Sequence, residues 1–361
     1  MKFQLNQRDQ EEIEKLFQTN EQNYRITDLL SEYYHNYARS ISPKDVLQTM
    51  KKKHIDEETA FFFCLLNLMG VRKNENKRIS GFRKGIHRLD VLKYKDNPFL
   101  QNIRFSESIS GNTRFLKDSY LPYEGFPYAD IDVDPDDYYR ETCSVGFFDK
   151  EFFFPSLIQN EITWMSVIPN EIETMKAPIS SAKGRVLVYG LGIGYYAYMI
   201  HLKEEVRLIT VIEKDKNIID LFYKHLFPQF PRQDKIRIIH TDALEYEKKS
   251  EEFYDMAFVD LYHDETDGIP LYLKLKKSEK RAFHYEYWLE KSLIEVIRRD
   301  IITLLYEQYH RLEVDYDDAE NDNDALINAL HRHYEKKIFL SYAEIKEMLS
   351  ENAILKLLKE I

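Results

Sequence analysis

Cysteine is nearly absent: the 361 residues contain two, Cys64 and Cys143, far apart and without metal-ligand spacing. That excludes a disulfide framework and suits a reducing, cytoplasmic setting. Long apolar runs are missing as well. No stretch is long enough to span a bilayer, and Met1-Lys-Phe-Gln-Leu-Asn-Gln-Arg8 lacks the apolar centre of a secretion signal. Basic charge is outweighed, with 51 Lys and Arg against 62 Asp and Glu for a net charge of −11. Such a chain is not expected to bind nucleic acid over a broad face, nor a membrane.

What is present is a buried-strand pattern, Val186-Leu-Val-Tyr-Gly-Leu-Gly-Ile-Gly194, that runs straight into three alternating glycines. Gly190, Gly192 and Gly194 let the backbone turn sharply and approach a ligand, and a following helix would aim its free N–H groups at it. Dinucleotide binding wants Gly-x-Gly-x-x-Gly, and Tyr195 stands where its third glycine would be. The spacing fits S-adenosylmethionine better, and Tyr189, just before the first glycine, is grouped with this loop as cofactor-binding.

A second apolar run, Arg207 to Asp215, places Glu213 roughly 20 residues past the glycines, where a carboxylate accepts from both ribose hydroxyls. Lys235-Ile-Arg-Ile-Ile-His240 reads as a third strand and leads to Thr241-Asp242-Ala243. Asp242 and Ala243 are candidate adenine contacts, while Asp242 equally suits the N-cap of the next helix. Tyr254 to Asp260 is a fourth strand ending in an acid, and Leu261-Tyr262-His263 continues it into a candidate active-site loop. Four strands with crossover helices predict a parallel, doubly wound sheet.

Residues of about 184 to 262 resemble a class I S-adenosylmethionine-dependent methyltransferase, most closely its spermidine synthase branch. The resemblance rests on Gly190, Gly192 and Gly194, on Glu213 with Asp215, on Asp242 and on Asp260. It implies S-adenosylmethionine as cofactor and Asp260, Tyr262 and His263 as catalytic candidates, with Asp260 or His263 taking a proton from an amine. The chain departs from the aminopropyl transferases at Asp260-Leu-Tyr-His263, where they carry a Ser-Asp-Pro-like stretch. Methyl transfer to an unidentified small molecule, amine-containing and cationic in the simplest case, is therefore the first expectation. Aminopropyl transfer is the alternative, and a non-catalytic scaffold that kept the nucleotide fold is a third reading.

The expected organisation is a helical N-terminal domain over residues 1–119, a connector with a small β-hairpin over 120–180, and a Rossmann-like domain with a helical tail over 181–361. Ala60 to Met69 is apolar nearly all round, as befits a core or the interface of a homodimer. Cys143 to Phe148 and Glu151 to Pro155 flank Asp149-Lys150 as a predicted hairpin. Ser166 is a candidate cap for a helix with Pro169 in its first turn, Lys277 to His310 reads as long helices, and Lys337-Ile-Phe-Leu340 is a candidate edge strand. Tyr195, Tyr196, Tyr262 and Tyr272 are candidate pocket aromatics. Neither Asp264-Glu-Thr-Asp267 nor His331-Arg-His333 makes a convincing metal site, and Arg72 to Lys84 reads as a solvated basic segment.

Overall fold

The computed structural model describes residues 1–71, 80–263, 265–314, 316 and 322–361. Asp264, the basic run Arg72 to Arg78 and most of the acidic loop Asp315 to Asp324 lie outside the described residues. Helix α1, Gln7–Asn36, starts at Asn6, whose side chain accepts from the Asp9 N–H at 3.0 Å and so satisfies one orphan donor of the first turn. Its buried positions return every three or four residues, from Ile13, Leu16 and Phe17 to Ile26, Leu29, Leu30 and Tyr33. The first group packs into the main core. The second builds a smaller core with Ala60, Phe61, Leu65 and Leu66 of the helix Glu57–Leu68. That apolar helix is thus buried within the chain.

The boundary expected at 120 falls at the end of the strand Thr113–Tyr120, which pairs along its whole length with β1, Phe152–Gln159. The first 119 residues therefore do not form a purely helical unit, and a cut there would split a sheet. Asp149-Lys150 turns no hairpin either. Val145–Phe147 pairs with Ile86–Arg88 and Gly125–Pro127, so the turn joins strands of two different sheets. The hairpin lies one step later, between β1 and β2, Ile162–Ser166. Asn160 and Glu161 take φ of 50° and 64° there, as a tight right-twisting turn requires.

After β2 comes α2, Pro169–Thr174, with Pro169 in its first turn and no side-chain cap. Ser166 is not that cap; its hydroxyl lies 2.7 Å from the Ser156 hydroxyl. The main sheet contains β3 (Gly184–Tyr189), β4 (Val206–Glu213), β5 (Ile236–His240), β6 (Met256–Val259) and β7 (Tyr285–Tyr287), ordered β5-β4-β3-β6-β7 and parallel throughout. β7 interrupts the stretch read as helix; three residues carry too little periodicity to announce a strand. After it runs α3, Glu290–Tyr309. Ile338–Phe339 pairs with Lys2–Phe3 instead of completing this sheet. Chain order reverses between β3 and β6, and in open parallel sheets ligands enter the crevice at the strand C-termini beside such a reversal.

Candidate functional site

The glycine loop opens at that reversal. Gly190, Gly192 and Gly194 have φ of +98°, +51° and +73°, a region that side chains disfavour. What they approach is protein. A Cβ at 190 would strike the Asp260 carbonyl, one at 194 the Phe222 ring, and one at 192 the Met165 sulfur. Only the last obstacle is the end of a flexible side chain, so Gly192 is the point where the loop can be uncovered for a ligand.

Glu213, at the end of β4, is buried and holds the loop through two backbone donors. The Leu191 N–H reaches Oε2 at 3.0 Å and the Asp215 N–H reaches Oε1 at 2.7 Å. Burial pushes its carboxyl up, and these hydrogen bonds pull part of the way back. Asp260, following β6, is pushed up to about 7, first by burial and then by Glu213. A third acid was missed in the sequence: Glu171 of α2, buried at 6% exposure, with Oε2 lacking any hydrogen-bond partner. Burial, then Asp260, drives its carboxyl well above the usual range. A sequence pattern gives little hint of Glu171, because Pro-Asn-Glu at a helix start reads as ordinary first-turn chemistry.

These three acids line one small cleft with Gly190, Gly192, Asp215, Tyr262, Trp164, Met165 and Trp288. Tyr262 donates its hydroxyl to the Trp288 carbonyl, and Gln159 donates to the Asp215 carboxylate. The β1–β2 hairpin thus lies over the cleft, which encloses about 50 Å³. That is room for one or two waters and not for a nucleoside. The cleft thus joins a glycine turn at the sheet reversal to acids at the ends of β4 and β6. The Met165 sulfur sits over Gly192 at its edge.

Other expected site residues lie elsewhere. Tyr189 is fully buried with its hydroxyl on Glu247, away from the cleft. Asp242 caps the helix Ala243–Lys249 through the Leu244 and Glu245 N–H groups at 2.9 and 3.1 Å, and neither it nor Ala243 lines the cleft. Gly194 forms the N-cap of the helix Tyr195–His201 beneath Phe222 and does not line it either. Tyr195, Tyr196 and Tyr272 are buried, with hydroxyls engaged by Asn97, the Pro178 carbonyl and Glu290 respectively. The cleft aromatics are instead Trp164 and Trp288, with Tyr262.

A second, larger cavity of about 820 Å³ adjoins the first and shares Trp164, Met165, Glu171 and Trp288 with it. His263 lines this cavity, as do residues of α1. Asp130 on its wall accepts from Ser292 at 2.6 Å and is raised by burial. Among the described residues no group of three or more His, Cys, Asp and Glu is arranged to hold a metal ion. Among them, too, no helix is long and apolar enough to cross a membrane.

No protein-family model matches this chain, and no curated protein matches it. Among solved structures it is similar to spermidine synthase from Thermotoga maritima, at 15% identity over 54% of this chain and 62% of that one, with a TM-score of 0.32. A spermidine synthase in complex with the transition state analogue AdoDATO is similar at 16% identity over 50% and 56%, with a TM-score of 0.31. The chain spans less than two thirds of either. Likeness this slight carries no argument about activity, which rests on the cleft.

Proposed function

We propose that this protein is a transferase that moves an alkyl group from an adenosyl sulfonium cofactor to an amine. The single observation that carries the reading is the gathering of Glu171, Glu213 and Asp260 around the glycine turn, with Lys214 the one cation on the described cleft lining. Buried acids that repel one another favour a cationic guest, because a positive charge lowers the cost of ionising each of them.

When bound, S-adenosylmethionine supplies a carbon already activated by its sulfonium. Glu213 holds the ribose while keeping the glycine loop in place, since a carboxylate has acceptor capacity beyond its two backbone donors. Asp260, poised near neutrality, takes the proton of the incoming ammonium so that the nitrogen lone pair is free to attack. Transfer would form an N–C bond and break the C–S bond, leaving the electron pair on sulfur. The aromatic walls keep water out.

Methyl transfer was the expectation from the sequence. Aminopropyl transfer is the second reading, and one feature favours it: an acid-lined cleft is a poor host for a cofactor tail with its own carboxylate, and a decarboxylated tail removes that conflict. Calorimetric titration with S-adenosylhomocysteine against methylthioadenosine separates the two. Preference for S-adenosylhomocysteine, lost in Glu213→Ala, supports methyl transfer, and preference for methylthioadenosine supports aminopropyl transfer. Binding of neither refutes both and leaves the scaffold reading.

A further inference from the structure

The cavity beside the cleft is too large for a simple acceptor. A linear four-carbon diamine, at roughly water's share of liquid volume per heavy atom, occupies about 180 Å³. The cavity holds about 820 Å³, in the upper part of the range that encloses ligands of roughly 300–1,000 Å³. Its lining also reaches across the molecule. Leu30, Ser31 and Tyr34 of α1 line it, and Trp164, Trp288 and Glu171 are shared with the cleft. The α1 positions fall three and four residues apart and so share a face of that helix.

We propose that the acceptor is a bulky amine with an apolar, partly aromatic body, that its nitrogen meets Glu171 at the neck between the two cavities, and that α1 selects the body. The proposal rests on the transferase reading given above. Glu171 is the anchor because it is buried, its Oε2 has no protein partner, and it lines both cavities. An ammonium would supply the missing donor. An anionic acceptor finds no such welcome: Arg299 of the lining is spent on a bidentate pair with Glu141, at 2.6 and 2.5 Å. The aromatic walls suit an apolar body with an adjacent cation.

The test is calorimetric titration of the full chain, saturated with S-adenosylhomocysteine or methylthioadenosine, whichever binds. The probes are 4-phenylbutylamine, the uncharged 4-phenylbutanol and 1,4-diaminobutane. The expected order puts 4-phenylbutylamine first, by tenfold or more over each of the others. Glu171→Gln should weaken it at least tenfold. Ser31→Trp, at an exposed helical position where folding tolerates the change, should fill the α1 wall and weaken it similarly, with its nucleoside affinity unchanged. Tighter binding of 1,4-diaminobutane, or 4-phenylbutylamine binding indifferent to Ser31→Trp, would overturn the proposal. So would a protein that binds nucleoside and none of the amines. Absence of nucleoside binding would instead strike the transferase reading itself.

Discussion

The Met165 sulfur lies over Gly192, in the place a Cβ at that position would take. The glycine turn is therefore covered by the side chain that blocks nucleoside entry. Met165→Ala should tighten S-adenosylhomocysteine or methylthioadenosine binding about tenfold, because the closed form no longer competes. It should lower stability by about 2 kcal/mol, the low end for Met→Ala losses, as the site opens to a cleft instead of leaving a sealed void. Unchanged or weaker nucleoside affinity in a folded Met165→Ala protein would show that Met165 is not the cover.

Glu213 and Leu191 make the second prediction. The Glu213 carboxylate accepts from the Leu191 and Asp215 N–H groups, so Glu213→Ala leaves one buried and one part-buried donor unsatisfied. A cost of about 1–3 kcal/mol for each unmet group is the general scale. Glu213→Gln retains one oxygen and should lose less. Thermal unfolding should rank wild type above Gln above Ala, and nucleoside affinity should follow the same order. Full affinity in Glu213→Ala would remove this acid from the ribose role.

How much of this was legible beforehand divides along sequence distance. The parallel sheet and its glycine turn were readable because β3, β4, β5 and β6 each announce themselves as apolar runs ending at Gly190, Glu213, His240 and Asp260. The cleft's other half was not. Glu171, Met165 and Trp164 come from the segment before the sheet, and their approach depends on how β2 folds back over Gly192. Trp288 lies within Lys277 to His310, which reads as helix in the sequence, whereas it directly follows the unannounced strand β7. Period arguments place residues on faces of their own element and say nothing of which elements meet.

Tyr189 offers a discriminating control. Its position just before Gly190 suggests a cofactor contact, yet its hydroxyl donates to Glu247, to which Tyr285 also donates at 2.8 Å and the Lys280 N–H at 2.6 Å. Tyr189→Phe should cost about 1–2 kcal/mol through the lost charge-assisted bond. Nucleoside affinity should stay within about twofold, well below the tenfold that a 1.4 kcal/mol contact would carry. A large loss of affinity with unchanged melting temperature would return Tyr189 to the cofactor site.

Asp260 ties the site to pH. Its carboxyl is raised from 3.8 to about 7 in the folded chain, so between these values the folded state holds a proton that the unfolded state has released. The stability this proton confers is complete below about pH 4, falls as pH climbs towards 7, and is gone above it. Burial and then the neighbouring Asp260 act on Glu171 in the same direction. Asp260→Asn removes the ionisation without changing the shape of the side chain. Its melting temperature should match wild type at pH 4 and exceed it at pH 8, on a scale of about 2–4 °C per kcal/mol for chains of 150–250 residues and less for longer ones. Transfer activity should fall sharply at every pH, because the amine has lost its proton acceptor. An equal gain in melting temperature at pH 4 and pH 8 would mean that packing, and not the buried charge, sets the effect, and would take with it the argument that Asp260 is poised to act as a base.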